Sequence, residues 1–241
     1  MQKRLDVYLS ETNTVKSRSL AASLIKQGSV EVNGRICTKA SFAVDDNDNI
    51  RIIGEMPKYV GRGGLKLEKA LSHYRLHLDG SVCIDIGAST GGFTDCMLQN
   101  GAVKVYSVDV GTDQLDEKLR NDPRVVSMEK TDIRNCVGAL PAVDFIGIDV
   151  SFISLKLVLP SAYALLKDGG ECVALIKPQF EAGKSHLSKH GIVRDSKVHK
   201  KVCDDISEFA STLGFERGEV ISSPITGGDG NTEYLIYLRR L

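Results

Sequence analysis

The chain has 241 residues, enough for one large domain or a mid-sized domain with a small one attached. Hydrophobic residues make up 42% and charged residues 26%, with 23 Gly and 6 Pro, which excludes global disorder and collagen-like or low-complexity architectures. Thirty-one Lys and Arg balance 31 Asp and Glu, so the whole chain carries no nucleic-acid signal.

The charge is unevenly spread. Residues 1–42 hold seven Lys/Arg (3, 4, 16, 18, 26, 35, 39) against three Asp/Glu (6, 11, 31), a local excess of +4. Such a segment is either a solvated face or a surface for polyanions. The start, MQKRLDVYLSE, lacks the apolar core of a secretion signal. Ser17 is placed to cap a helix with Leu20, Ala21, Leu24 and Ile25 on one face and Gly28 as its stop. Val30-Glu31-Val32 runs into an Asn33-Gly34 turn, and a second strand-like stretch ends in Ile50-Arg51-Ile52-Ile53. Asp45-Asp46-Asn47-Asp48 is turn material, and Gly54-Glu55-Met56-Pro57 reads as a linker.

Beyond residue 58 strands and helices alternate. Strands are predicted at 81–86, 103–109, 124–128, 143–149, 171–177, 216–221 and 233–238. The alternation implies a mostly parallel sheet covered on both faces. The last two strands are joined by a loop too short for a crossover helix, so strand 233–238 is expected to run antiparallel.

The densest motif is Asp85-Ile86-Gly87-Ala88-Ser89-Thr90-Gly91-Gly92-Phe93-Thr94, a strand, a glycine turn and a helix start. Glycines admit a ligand close to the backbone, and a helix N-terminus offers free N–H groups. Asp109 ends the next strand, where a carboxylate meets ribose hydroxyls. A dinucleotide site prefers GxGxxG. The GxxxGG spacing here favours a ligand without a pyrophosphate, such as S-adenosylmethionine. The same glycines also fit the GxSxG elbow of serine hydrolases, which needs a late His at a strand end, and a tight turn with no ligand. His186, His190 and His199 lie in or near a polar loop, and no oxyanion motif accompanies them.

Asp149 and Lys177 end their strands and Glu233 begins the antiparallel one, so all three belong to the carboxyl edge of the sheet, where ligands sit. Lys66 borders the apolar stripe Leu67, Ala70, Leu71 and Tyr74 on a helical wheel, while Lys69 points away. Any one of these charges alone reads as a surface or ion-paired residue. Together they suit methyl transfer to a hydroxyl, which needs in-line alignment and a proton acceptor.

These residues carry a resemblance. From about Tyr59 onward the chain resembles the FtsJ-like class I methyltransferases with their Lys-Asp-Lys-Glu tetrad. The segments RLDVYLSE and SRSLAASLIKQGSVEVNG resemble an S4 RNA-binding domain. Together, with RGGLKLEKAL, DIGASTGGFTDC, IDVSFISL, ALIKPQFEAG and GNTEYL, they resemble the TlyA family. Its members are ribosomal RNA 2′-O-methyltransferases acting on cytidine, often named haemolysins.

The resemblance implies an α/β fold: a Rossmann-like methyltransferase with a seven-stranded, mostly parallel sheet, preceded by a small α+β S4-like domain. The expected limits are 1–54 for the RNA-binding domain, 55–60 for the linker and 61–241 for the catalytic domain. The tetrad falls on Lys66, Asp149, Lys177 and Glu233. The candidates for holding S-adenosylmethionine are Asp85, Gly87, Ala88, Ser89, Gly91, Gly92, Phe93, Asp109 and Asp132. Those for RNA are Lys3, Arg4, Lys16, Arg18, Lys26, Arg35 and Arg62. Tyr8 is the one aromatic of note in the basic segment, so phosphate contact and RNA shape are expected rather than base stacking.

Two departures stand out. Gly61 occupies a place where the family commonly has Ser, and Lys184–His190 replaces a commonly Gly-rich segment. His186 and His190 are four apart, but without a third ligand no metal is expected. A membrane-active haemolysin and a non-catalytic RNA-binding module are the alternatives. Against the first, Asp144, Asp149 and Lys156 interrupt the apolar stretch Ala142–Leu166. Against the second, binding alone needs no base at the sheet edge. The six cysteines, at least 13 residues apart, form no CxxC pair and suit buried thiols of a cytoplasmic protein.

Overall fold

Two short elements open the chain, strand β1 (Lys3–Arg4) and helix α1 (Leu5–Glu11). α1 has no side-chain cap, so no local signal announces it. Helix α2 (Arg18–Lys26) begins where expected, with Ser17 Oγ accepting from the Leu20 N–H at 3.2 Å. Strands β2 (Val30–Val32) and β3 (Arg35–Ile36) pair across Asn33-Gly34, both in the left-handed region. The stretch after Gly34 is not one strand but three pieces. β3 is followed by β4 (Ala43–Val44), which pairs with β1, and by β5 (Ile50–Ile52), which pairs with β2. Leu5, Leu9, Leu24, Ile25, Val30 and Val32 form the core of this unit.

The computed structural model describes residues 2–15, 17–26, 28–54, 57–228 and 230–241, and the chain divides into units 1–56 and 57–241. Lys16, and Glu55 and Met56 of the expected linker, lie outside the described residues. Tyr59 and Val60, also expected in the linker, belong to the second unit. Tyr59 is buried in its core, Gly64 has no room for a side chain beneath the Tyr59 ring, and the Val60 N–H donates to Asp95 at 2.9 Å.

The second unit runs through α3 (Gly63–Tyr74), β6 (Val82–Ile86), α4 (Gly92–Gln99), β7 (Lys104–Val108), α5 (Glu117–Arg120) and β8 (Val125–Met128). It continues with β9 (Val143–Ile148), α6 (Leu155–Leu165), β10 (Leu166–Ile176), α7 (Pro178–Glu181), α8 (Ser196–Thr212), β11 (Phe215–Ser222) and β12 (Tyr234–Arg240). The sheet order is β11-β12-β10-β9-β6-β7-β8. β12 is antiparallel to both neighbours, and the pairs from β10 to β8 are parallel. β10 begins at Leu166 rather than near 171, with a register irregularity before Glu171.

Each face of the sheet buries its own cluster. One side packs Ile84, Ile146, Ile148 and Ala174 with Leu159 of α6 and Ile206 of α8. The other packs Cys83, Phe145, Val173 and Leu235 with Leu67 of α3 and Met97 of α4. From β6 the chain first builds β7 and β8 on one side, then β9 and β10 on the other. That reversal opens a crevice at the carboxyl ends of β6 and β9.

Candidate active site

The carboxyl edge of the sheet holds a cavity of about 330 Å³. Its walls include Lys66, Asp149, Lys177 and Glu233, Arg62 at the start of α3, and Gly87, Ala88, Ser89, Gly92 and Phe93 of the glycine turn. Each charged group arrives on its own element. α3 turns Lys66 inward, leaving only 9% of its side chain exposed, and leaves Lys69 in solvent. β9 ends at Ile148 and delivers Asp149. β10 ends at Ile176, and Pro178 at the first position of α7 turns the chain just after Lys177. Glu233, 3% exposed, immediately precedes β12.

The signs alternate in space. Lys66 Nζ stands 2.7 Å from Glu233 Oε2 and 3.5 Å from Asp149 Oδ2. Lys177 Nζ stands 2.6 Å from Asp149 Oδ1. The two shortest contacts are close ion pairs whose angles fall outside hydrogen-bond range, so Asp149 Oδ1 and Glu233 Oε2 keep acceptor capacity. Two cations and two anions in a largely buried cluster compensate one another's desolvation.

The glycines answer to close approaches within the protein itself. Gly87 has φ +85°, and an added Cβ would lie 2.6 Å from the Asp149 carbonyl oxygen. A Cβ on Gly92 would lie 2.8 Å from the Gly64 N, and one on Gly91 would meet Leu115 and Leu119. Asp85 is wholly buried beneath the turn and does not line the cavity. Its Oδ2 accepts from the Thr94 N–H at 2.8 Å and the Thr94 hydroxyl at 2.7 Å, its Oδ1 has no partner, and burial pushes its pKa up to about 7. Asp109 stands outside the cavity and braces the turn, accepting from the Ser89 and Gly111 N–H groups at 2.7 Å each. Asp132 also lies outside, capping the turn 133–135 and paired with Arg134 at 2.6 Å, which holds its carboxyl below the usual range.

In the first unit Asp6 is buried and binds Arg4 at 2.9 Å and Arg18 at 3.0 Å. The Arg4 guanidinium, with Arg18, lowers the Asp6 pKa to about 2. Lys3 pairs with Glu11 at 2.6 Å, and Lys26 and Arg35 are exposed. Arg4 and Arg18 therefore share one compensating charge.

Three groups escaped the sequence reading. Ser151 Oγ accepts from Lys177 Nζ at 2.8 Å. Phe152 is 91% exposed at φ 63°, a strained conformation for a bulky residue, and its ring lies 5.0 Å from that of Phe180; both line the cavity. Glu181 accepts from the Ser154 hydroxyl at 2.6 Å and the Leu155 N–H at 2.8 Å, tying α7 to the start of α6. Proximity to Asp149 and Lys177 in sequence was the available signal for Ser151 and Glu181. The φ of Phe152 had none.

His199 is a buried structural residue. Its Nε2–H donates to the Val193 carbonyl at 2.9 Å, and its Nδ1 is hydrogen-bonded to the Tyr234 hydroxyl at 2.8 Å. His186 and His190 are exposed, and no histidine lines the cavity, so the hydrolase reading lacks its base. A Cβ on Gly61 would lie 2.5 Å from Thr90 Oγ1, so Thr90 occupies the space a larger residue would need. Among the described residues no group of His, Cys, Asp or Glu is arranged to hold a metal ion, and no helix is long and apolar enough to cross a membrane.

A seven-stranded sheet with one antiparallel strand, a glycine turn after β6 and a Lys-Asp-Lys-Glu cluster define a methyltransferase of the Rossmann-like class. The FtsJ-like methyltransferase family model matches residues 59–240 and the S4 domain model residues 3–50, and the chain belongs to the FtsJ-like family, in the branch with an S4 domain that includes the TlyA proteins. It is 47% identical to YqxC of Bacillus subtilis, a candidate rRNA methyltransferase, over 98% of this chain and 85% of that one. It is 38% identical to the 16S/23S rRNA (cytidine-2′-O)-methyltransferase TlyA of Mycobacterium tuberculosis, over 98% and 89%. The structure of a candidate haemolysin from Streptococcus thermophilus superposes with a TM-score of 0.79 at 46% identity, covering 99% of this chain and 88% of that one.

Proposed function

We propose that this protein transfers a methyl group from S-adenosylmethionine to the 2′-hydroxyl of a cytidine in ribosomal RNA. The observation that carries the reading is the alternating Lys66, Asp149, Lys177 and Glu233 cluster in one cavity with the glycine turn. Relatives that match over nearly the full length support the choice of ribosomal RNA and cytidine.

The residues fit the cofactor. Each Asp109 oxygen accepts one backbone N–H and keeps a lone pair for a ribose hydroxyl. Val110, 73% exposed beside it, offers an apolar face to an adenine ring. Gly87, Ala88, Ser89, Gly91, Gly92 and Phe93 shape the turn, with Asp85 bracing it from below and Asp132 farther along the edge. The bound cofactor supplies a methyl already activated on a sulfonium.

Lys177, as the free amine, takes the proton of the 2′-hydroxyl. Asp149 holds that amine, and Lys66 draws part of the Asp149 charge toward itself. Lys66 and Glu233 position the ribose. Phe152 and Phe180, side by side in the cavity wall, offer ring faces for an unstacked cytosine to lie on. Arg62 reaches RNA from the cavity rim. Residues 1–54 serve as the RNA-binding domain through Lys3, Arg4, Lys16, Arg18, Lys26 and Arg35, and residues 61–241 as the catalytic domain, in a protein acting in the cytoplasm.

The test uses labelled S-adenosylmethionine with separated ribosomal subunits, followed by mapping of the label. A 2′-O-methylcytidine is expected, and Lys177→Ala should lower single-turnover transfer by about 10²–10⁴-fold. Label on a base, or full activity in Lys177→Ala, would overturn the reading.

A further inference from the structure

Ser151 lies two residues beyond Asp149, in the segment between β9 and α6, and lines the cavity. Its contact with Lys177 differs in kind from that of Asp149. Asp149 Oδ1 is the nearer, at 2.6 Å, but its angle is poor, and an ion pair attracts without directing. Ser151 Oγ, at 2.8 Å, has hydrogen-bond geometry. The carboxylate supplies charge, and the hydroxyl supplies direction.

Direction matters because a neutral amine has two N–H bonds and one lone pair. With one N–H on Ser151 and the other drawn toward Asp149, the lone pair has one orientation left. The Phe180 ring, centred 6.0 Å from Nζ, accepts no proton.

Ser151 is itself held. At one end of its segment the Asp149 N–H donates to the Ile86 carbonyl at 2.9 Å. At the other, Ser154 and Leu155 donate to Glu181, four residues beyond Lys177 on α7. The path from Lys177 through α7, Glu181, Ser154 and Ser151 back to Lys177 is closed, so the hydroxyl and the amine keep their relative position.

We propose that Ser151 is a positioning residue for the methyl transfer, fixing the rotation of the Lys177 amine so that its lone pair meets the 2′-hydroxyl. The proposal rests on the reading of Lys177 as proton acceptor. The experiment compares full-length wild type, Ser151→Ala, Ser151→Thr and Lys177→Ala in single-turnover transfer to ribosomal subunits at saturating RNA across pH. S-adenosylmethionine affinity and melting temperature are measured alongside. Ser151→Ala should lower the high-pH plateau about tenfold to hundredfold, the scale of a misplacement of about 1 Å, with cofactor affinity and melting unchanged. Ser151→Thr, which keeps the hydroxyl at an exposed position, should restore most of the rate. A wild-type plateau in Ser151→Ala beside an inactive Lys177→Ala would overturn the positioning role alone. So would a Ser151→Thr as slow as Ser151→Ala, or a loss that tracks cofactor affinity or melting. A fully active Lys177→Ala would instead remove the underlying reading.

Discussion

Gly87 and Asp149 are in contact through their backbones: a methyl group on Gly87 would lie 2.6 Å from the Asp149 carbonyl oxygen. The turn expected to cradle a ligand and the strand end that carries a catalytic candidate therefore form one rigid corner. Gly87→Ala adds a left-handed penalty of roughly 1–2 kcal/mol to that clash and displaces Asp149. We expect a lower melting temperature and about a hundredfold loss of transfer, read by thermal melts and single-turnover rates. A variant with wild-type rate would show that the corner tolerates movement.

Lys66 and Lys69 share a helix but not an environment. Lys66→Ala leaves Glu233 buried without its 2.7 Å partner, which should cost about 3–5 kcal/mol of stability as well as activity. Lys69→Ala, on the exposed face, should stay within about 0.5 kcal/mol of wild type and keep its rate. Equal losses in denaturant melts would contradict the inward placement of Lys66.

Burial raises the Asp85 pKa to about 7, so folding favours its protonated form. Its contribution is complete below the unfolded value near 4 and is lost as pH rises through about 7. The difference amounts to at most roughly 4 kcal/mol. Asp85→Asn removes the titration while retaining an acceptor for Thr94. Denaturant melts at about pH 5 and about pH 8 should show the variant gaining on wild type at the higher pH. A difference independent of pH would mean that Asp85 is not the titrating group.

Arg18 and Arg35 separate RNA contact from stability. Arg35→Ala, at an exposed site, should reduce the salt dependence of RNA binding by about 0.7–0.9 in log–log slope, with no change in melting. Arg18→Ala should do the same and also destabilise the first unit, because the buried Asp6 loses one of its two guanidinium partners. Filter binding at several salt concentrations with parallel melts distinguishes them. An unchanged slope for both would remove them from the RNA surface.

Local pattern determined much of this protein. Capping and turn chemistry at Ser17 and Asn33-Gly34, the alternation of strands and helices, and the proline after Lys177 act through nearest neighbours and are legible in sequence. So are the inward face of Lys66 and the strand ends that carry Asp149 and Lys177. The strand ends put Lys177 beside Asp149, and the two meet at 2.6 Å, but nothing in the sequence pairs Lys66 with Glu233. Lys66 and Glu233 are joined because β12 inserts between β10 and β11, and that order depends on long-range pairing. It likewise could not reveal that Gly87 serves the Asp149 backbone, that Asp85 braces the turn from beneath, or that Ser151 aligns Lys177. Each of these depends on two segments arriving at the same corner. That meeting is decided when the sheet closes its register and the helices bury its two faces, a cooperative event with no counterpart in any short stretch of chain.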